Sequence, residues 1–327
     1  MTMIKISFHF YFRVHVVRQT KSLTPAQSAR KPADVPLFYE AFLAKVNELG
    51  SSVSDSTRSN YLTALRSLRS FAGNGLRLCD VNATLLQRYE RWLRDCGICP
   101  NTTSCYMRSL RTILSKLLPR EEVLASFSNV YTGRAATDKR SVDRETVSKV
   151  KNLQLKERSA LSLARDIFLF CFYALGMPFV DVAFLRRQQV NGDQIVYYRR
   201  KTGARVTVPL LPCMRDIMGR YQNNTSDYVF PLLSSTDPQT AYNEYLTKLN
   251  WYNRALKRLA RRAGVSETLT SYTTRHTWAT TAYHNCVELP VISKALGHSS
   301  PQTTLTYLRE INDHRLMEAN SRIVQLV

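Results

Sequence analysis

Ile4, Ile6, Phe8, Phe10, Phe12, Val14 and Val16 alternate strictly with polar or mixed residues. That period of two predicts one β-strand, and the interrupted apolar run does not suit a signal peptide. Gln19 to Pro36 is rich in Lys, Ser, Ala and Pro and reads as a linker. From about Leu37 to Leu118 the period becomes helical. Tyr61, Leu65, Leu68 and Ala72 form one apolar stripe; Leu85, Tyr89, Trp92, Leu93 and Cys96 form a second. A third helix is predicted to start at Pro100-Asn101, with Asn101 as its N-cap. Its apolar side carries Tyr106, Leu110, Ile113, Leu114 and Leu117. Off the stripes lie Arg58, Arg66 and Arg69, then Arg88, Arg91 and Arg94, then Arg108, Arg111 and Ser115. A small helical bundle with basic outer faces is expected.

A Ser/Asn/Thr/Gly break spans Ser126 to Ala136. Helical spacing returns over Arg144–Gln154 and Ala160–Leu175. Ile195–Tyr198, Lys201-Thr202-Gly203 and Val206–Leu210 then read as strand, turn and strand. The remainder is mostly helical, including the very basic stretch Asn253–Gly264. The fold class is therefore mainly α, a helical bundle followed by a mixed α+β domain with one small hairpin or sheet. The boundaries are a strand and basic linker at 1–33, a helical domain at 34–126, a linker at 127–136, and a second domain at 137–327.

Composition narrows the function. The length of 327 residues suits two domains at ~100–200 residues each. An apolar share of 44% argues against disorder, and no run of ~18 apolar residues predicts a membrane span. The net charge is +21. Residues 1–33 hold 6 Lys/Arg and no acid, 34–136 hold 13 against 9, and 137–327 hold 27 against 16. A polyanion touching every part of the chain fits that spread better than a local membrane patch does. The seven cysteines are odd in number and irregularly spaced, without a secretory leader, which points to a reducing cytosol. Cys96-x-x-Cys99 resembles half a zinc site, but only Cys105 follows and no His lies nearby, so buried structural thiols are the better reading.

The candidate chemistry lies in Ser271–Arg309. Tyr272-Thr-Thr-Arg275-His276 is followed by Leu296-Gly297-His298, and Tyr307 lies nine residues after His298. Tyr272 and Arg275 share a helix face, and Gly297 can end a helix and present His298. An Arg, a His, a Tyr and a Lys at a hairpin tip make a chemically sensible phosphoryl-transfer set. A guanidinium stabilises charge on non-bridging oxygens. An imidazole donates there or moves a proton, and a phenol can attack and hold a covalent ester.

In order and spacing, Arg275-His276-Thr-x-Ala-Thr, Leu296-Gly297-His298 and the trailing Tyr307 resemble the signature boxes of the tyrosine recombinases, or phage integrases. Residues 35–120 resemble that family's SAM-like core-binding domain, and 137–327 its catalytic domain. The resemblance implies that Tyr307 is the nucleophile, forming a 3′-phosphotyrosyl link, that Arg275 clamps the scissile phosphate, and that His298 supports it. It implies Lys201 as general acid for the leaving 5′-oxygen and His276 as a structural neighbour. For the helical domain, Arg66, Arg69, Thr102, Arg108 and Arg111 are the DNA-contact candidates. No metal, ATP or other cofactor is implied. The implied partners are double-stranded DNA with paired inverted-repeat core sites, a homotetramer on that DNA, an accessory DNA-bending protein, and no membrane. The implied location is the cytoplasm, at the nucleoid.

Two departures stand out. Tyr272 occupies a position where the family usually has His. Pro178, in Leu175-Gly-Met-Pro-Phe-Val-Asp181, stands where the family places its first catalytic Arg. This pattern resembles the subset found in recombinases and invertases of Bacteroides-type mobile elements. Arg200, Arg199 and Arg186 are the candidates to replace the missing Arg, with Arg200 ranked first because it flanks Lys201. Asp181 reads as a structural acid that orients an Arg. Pro178 and Tyr272 also keep open a catalytically impaired DNA-binding relic, and a type IB-like topoisomerase shares the chemistry. Only 33 residues precede the helical domain, too few for a complete arm-site domain, which favours inversion with element integration close behind. Leu316, Ala319, Ile323 and Val324 are spaced to pack on a neighbouring protomer or within their own subunit.

Overall fold

The computed structural model describes residues 37–135, 141–223, 225–298, 301–305 and 324. The expected strand at Ile4–Val16, Tyr307, and nearly all of the C-terminal tail lie outside them. The chain divides between Thr137 and Asp138 into two compact units.

The first unit is helical: α1 Phe38–Glu48, α2 Asp55–Ala72, α3 Ala83–Asp95, α4 Pro100–Leu114 and α5 Arg120–Phe127. Helix starts follow side-chain chemistry. The Ser54 hydroxyl accepts the Thr57 N–H at 3.2 Å, and the Asn82 carbonyl oxygen accepts that of Leu85 at 3.0 Å. Helix α4 begins differently from the expectation. Cys99 is the N-cap and Pro100 takes the first turn, where its missing N–H costs nothing. Asn101 is instead inside the helix, and its amide exchanges two hydrogen bonds with the Ala135 backbone, at 3.0 and 2.9 Å. The predicted stripes meet in the core, where Phe38, Phe42, Leu68, Leu86, Tyr89, Met107, Leu110 and Ile113 are fully buried. Helix α5, absent from the sequence reading, buries only Val123, Ser126 and Phe127, too short a pattern to show a period. The cysteines correct a second expectation. Cys96 is exposed, Cys99 and Cys105 are half-buried, and Cys171 is the buried thiol.

The second unit is built around α7 Ala160–Tyr173. Ile167, Phe168, Phe170 and Cys171 are all fully buried, so this helix is apolar nearly all round, as a central helix must be. Against it pack α6 Arg144–Lys151, α8 Phe179–Ala183, α9 Pro212–Gly219, α10 Pro238–Arg262 and α11 Thr273–His284. Helices α12 Leu289–Ala295 and α13 Pro301–Leu305 follow. An antiparallel three-stranded sheet, β1 Val190–Asn191, β2 Gln194–Tyr198 and β3 Arg205–Pro209, runs in the order β1-β2-β3. Its register pairs Ile195 with Val208 and Tyr197 with Val206, which puts these four on the core face. Phe179 stacks on Tyr252 with ring centroids 4.4 Å apart, fixing α8 to α10.

Candidate functional site

Five short segments of the second unit converge, and each is placed by local chemistry. After α7 the chain makes two left-handed residues in succession, Leu175 at φ 58° and Gly176 at φ 69°. A Cβ on Gly176 would sit 3.1 Å from the Arg275 Cα, so the glycine lets α11 approach closely. Pro178 then serves as the N-cap of α8, whose first turn carries Asp181. Its ring offers nothing to an anion. The Asp181 carboxylate, 1% exposed, accepts the Arg200 backbone N–H at 3.0 Å and the Arg199 Nε at 3.3 Å. Burial pushes this carboxyl up from the ordinary range, opposed by the Arg200 N–H and the Arg199 and Arg275 charges.

Strand parity decides which hairpin arginine turns inward. Ile195 and Tyr197 face the core, and Arg199, two residues on, continues that face at 7% exposure. Arg200 points out, its guanidinium 3.7 Å from the Phe184 ring centroid. The sequence ranking of Arg200 over Arg199 is thus at odds with the geometry, because alternation along β2, rather than adjacency to Lys201, sets direction. Arg186 is half-buried and pairs its backbone with Tyr228. It shares with Arg200, Phe184, Gln188, Gln189 and Tyr198 a shallow cleft of about 240 Å³.

The end of α12 supplies the anchor. The N–H of Gly297 bonds the Lys294 carbonyl and that of His298 bonds the Ser293 carbonyl, each at 3.0 Å. This is a Schellman termination with left-handed Gly297 at φ 62°. It leaves the Leu296 carbonyl turned toward the arginines, accepting from Arg199 Nη1 at 2.7 Å and Arg275 Nη2 at 2.6 Å. Arg275, 2% exposed, also donates to the Gly176 carbonyl at 3.1 Å, and its Nη2 lies 2.9 Å from His298 Nε2. Among the described residues Arg199 makes no hydrogen bond through Nη2, which keeps that group available to an anion.

Burial, then the charges of Arg275, Arg199 and Lys201, lower the His298 imidazole to about 4. His298 is therefore neutral at neutral pH. Lys201 is exposed in the hairpin turn, close enough for its charge to act on His298. Tyr272 is 46% exposed immediately before α11. The structure thus brings Arg275, His298, Arg199 and Asp181 into direct contact, with Lys201 near them. Two participants escaped the sequence reading. The Leu296 carbonyl was signalled only by the Leu-Gly helix end, and Thr304, whose Oγ1 lies 2.9 Å from His298 Nδ1, had no signal but its spacing.

In the first unit, Arg66 and Arg108 are exposed on α2 and α4, and each guanidinium also reaches its own helix one turn back. Arg69 is exposed, bonds Asn74 at 2.6 Å and lies over Tyr39. Arg111 and Thr102 are half-buried on α4, Thr102 being hydrogen-bonded to Cys99.

The arrangement is a cationic centre with two buried guanidiniums and a neutral imidazole, suited to a phosphate. Comparison with known proteins identifies relatives of both units. Residues 147–314 match the Phage integrase family, and residues 37–120 match the Phage integrase SAM-like domain. Tyrosine recombinase XerD of Pseudomonas putida is 26% identical over 284 residues, covering 79% of this chain and 88% of that protein. XerD of Shewanella oneidensis is 27% identical over 293 residues, covering 82% and 90%. Among solved structures, a lambda integrase tetramer bound to a Holliday junction matches with a TM-score of 0.64 at 13% identity, covering 86% of this chain and 80% of that one. The Tn1549 transposon integrase with circular intermediate DNA matches at 0.66 and 13% identity, covering 88% and 99%. At such identity these two carry the fold alone. Among the described residues no helix is long and apolar enough to cross a membrane.

Proposed function

Because the chain belongs to the phage integrase family, we propose that it is a site-specific DNA recombinase that cuts and rejoins duplex DNA through a phosphotyrosyl intermediate. The observation that carries this reading is the convergence of Arg199, Arg275 and His298 on the end of α12. Two guanidiniums anchored side by side on one carbonyl would stabilise the extra charge of a pentacoordinate phosphorane beside them, each worth ~10²–10³ in rate by analogy with other preorganised donors. Arg199 takes the part for which Pro178 is unfit.

In the proposed reaction the Tyr307 phenol oxygen attacks the scissile phosphorus and gives its proton to solvent. The bond from phosphorus to the 5′-oxygen breaks, and Lys201 protonates that oxygen as it leaves. Rejoining runs in reverse: a 5′-hydroxyl attacks the phosphotyrosine, the phenol departs, and the ester count is unchanged. The ester energy is conserved in the protein link, so the scheme needs no ATP, and the guanidiniums and Lys201 take the charge-stabilising and proton-donating parts that a metal would otherwise fill.

The Gly-Met-Pro-Phe-Val-Asp181 segment supports placement with the recombinases of Bacteroides-type mobile elements. DNA inversion, or element integration and excision, by a homotetramer on paired inverted repeats is the finer reading. Pro178 and the exposed Tyr272 favour a second reading, a DNA-binding relic without cleavage. A suicide duplex, nicked so that the cleaved 5′ fragment diffuses away, separates the two. Wild-type chain should form a covalent adduct that Tyr307→Phe lacks. No wild-type adduct, or an equal one from Tyr307→Phe, would sink the recombinase reading.

A further inference from the structure

Thr304 is fully buried on α13, six residues after His298 and three before Tyr307 in sequence. Its hydroxyl stands on the far side of the imidazole from Arg275. Nε2 of His298 is 2.9 Å from Arg275 Nη2, and Nδ1 is 2.9 Å from Thr304 Oγ1. A guanidinium has only donors, so Nε2 must offer its lone pair and the ring proton must sit on Nδ1. The Nδ1–H therefore donates to the Thr304 oxygen. We propose that Thr304 is a positioning residue that holds His298 in its Nδ1–H tautomer, keeping the Nε2 lone pair on Arg275 and that guanidinium in place for the phosphate.

The physical need follows from the alternatives open to the ring. A neutral imidazole with its proton on Nε2 would face Arg275 donor to donor, and the short contact could not persist. An imidazolium would do the same while adding a third charge beside Arg199 and Arg275. Among the described residues the charged groups acting on the ring are Arg275, Arg199 and Lys201, all cationic, and each opposes protonation. The Thr304 hydroxyl can accept or donate, so the guanidinium sets the tautomer and Thr304 stabilises it by accepting from Nδ1–H; a methyl in its place would leave that buried N–H unpaired. Thr304 precedes Tyr307 by three residues in the sequence, so the imidazole is tied to the stretch of chain just before the proposed nucleophile.

This inference rests on the recombinase reading of the site, and the test separates the two. Single-turnover adduct formation on saturating suicide duplex would be measured for Thr304→Val and Thr304→Ser, each with and without His298→Ala. Losing one hydrogen bond of ~1–1.5 kcal/mol should slow Thr304→Val about 10-fold. Thr304→Ser should recover to within about threefold. Beside His298→Ala the Val substitution should add no further loss, whereas a merely structural role would slow both backgrounds alike. In parallel, ¹⁵N shifts of the imidazole, assigned by their loss in His298→Ala, should report Nδ1–H in wild type and a mixed tautomer in Thr304→Val. Wild-type rates in Thr304→Val, equal losses in both backgrounds, or an Nε2–H ring in wild type would overturn the proposal. A Nδ1–H ring that depends on Thr304, in a chain that forms no adduct, would keep the tautomer assignment and remove the recombinase reading.

Discussion

Arg199 and Arg275 donate to one and the same acceptor, the Leu296 carbonyl, at 2.7 and 2.6 Å. Two like charges so close are held together by the negative end of α12 and by the Asp181 carboxylate behind Arg199. That relationship makes Arg199 a partner of the site and leaves Arg200 outside it.

The two hairpin arginines should therefore separate on mutation. Arg199→Ala should lower single-turnover cleavage by ~10²-fold or more, and Arg199→Lys should recover only part of it because the fork is lost. Arg200→Ala gives up a contact with Phe184 and should stay within about threefold of wild type. Rates on a suicide duplex decide this, and equal losses would return Arg200 to the site.

Gly297→Ala should be among the more damaging small substitutions. The new Cβ would lie 2.8 Å from Val206 Cγ2 and 2.9 Å from Arg199 Cδ, on a backbone held at φ 62°. Left-handed strain of ~1–2 kcal/mol and overpacking of ~1–3 kcal/mol both apply. Thermal or urea unfolding of the second unit should register a loss of ~2–4 kcal/mol.

Asp181→Asn should remove the carboxylate from a nearly sealed guanidinium. Breaking one side of such a pair costs ~3–5 kcal/mol, and the remaining amide oxygen places this change at the lower end. Unfolding midpoints test the stability. Cleavage should fall along with it, through Arg199.

His298 should titrate with a midpoint near pH 4 in place of the ordinary 6.5. Above pH 6.5 the ring is neutral in both folded and unfolded chains. Between 6.5 and 4 the unfolded chain takes up a proton that the folded one refuses, so stability drops as the pH is lowered across that window. The loss levels off below 4, and His298→Gln should remove it. Imidazole shifts and pH-dependent melting measure it, and a midpoint at or above 6.5 would contradict the buried, cation-flanked ring.

The proposed phosphate contacts by the first unit predict a salt effect. Arg66→Ala, Arg69→Ala, Arg108→Ala or Arg111→Ala should each weaken half-site binding and reduce the slope of log K against log salt by about one. An unchanged slope would mark that arginine as merely solvated.

Much of the architecture was legible in the chain itself. The stripes of α2, α3 and α4 and the β2–β3 hairpin follow from period, because burial of a repeating apolar face is a local pattern with one outcome. The Arg275, Leu296-Gly297-His298 and Tyr307 boxes likewise declare the family. Where sequence reasoning slipped, the deciding partner lay far along the chain. Asn101 looks like a cap until the Ala135 backbone, 34 residues away, claims its amide. Cys96 sits on an apolar stripe yet is exposed at the end of α3, where the helix stops covering it.

The sequence by itself determined the helical class, the excess of basic residues, and the motif residues that mark the family. Parity along β2, continued past Tyr198, is also local: it turns Arg199 inward and Arg200 outward. Only the tertiary structure decided which cations meet. Arg199, Asp181, Arg275 and Leu296 span more than a hundred residues of chain, and their contacts depend on the closure of α7, α8, α11 and α12 around one carbonyl. Direction of charge at a few ångströms is a property of packed elements, and no local pattern encodes it.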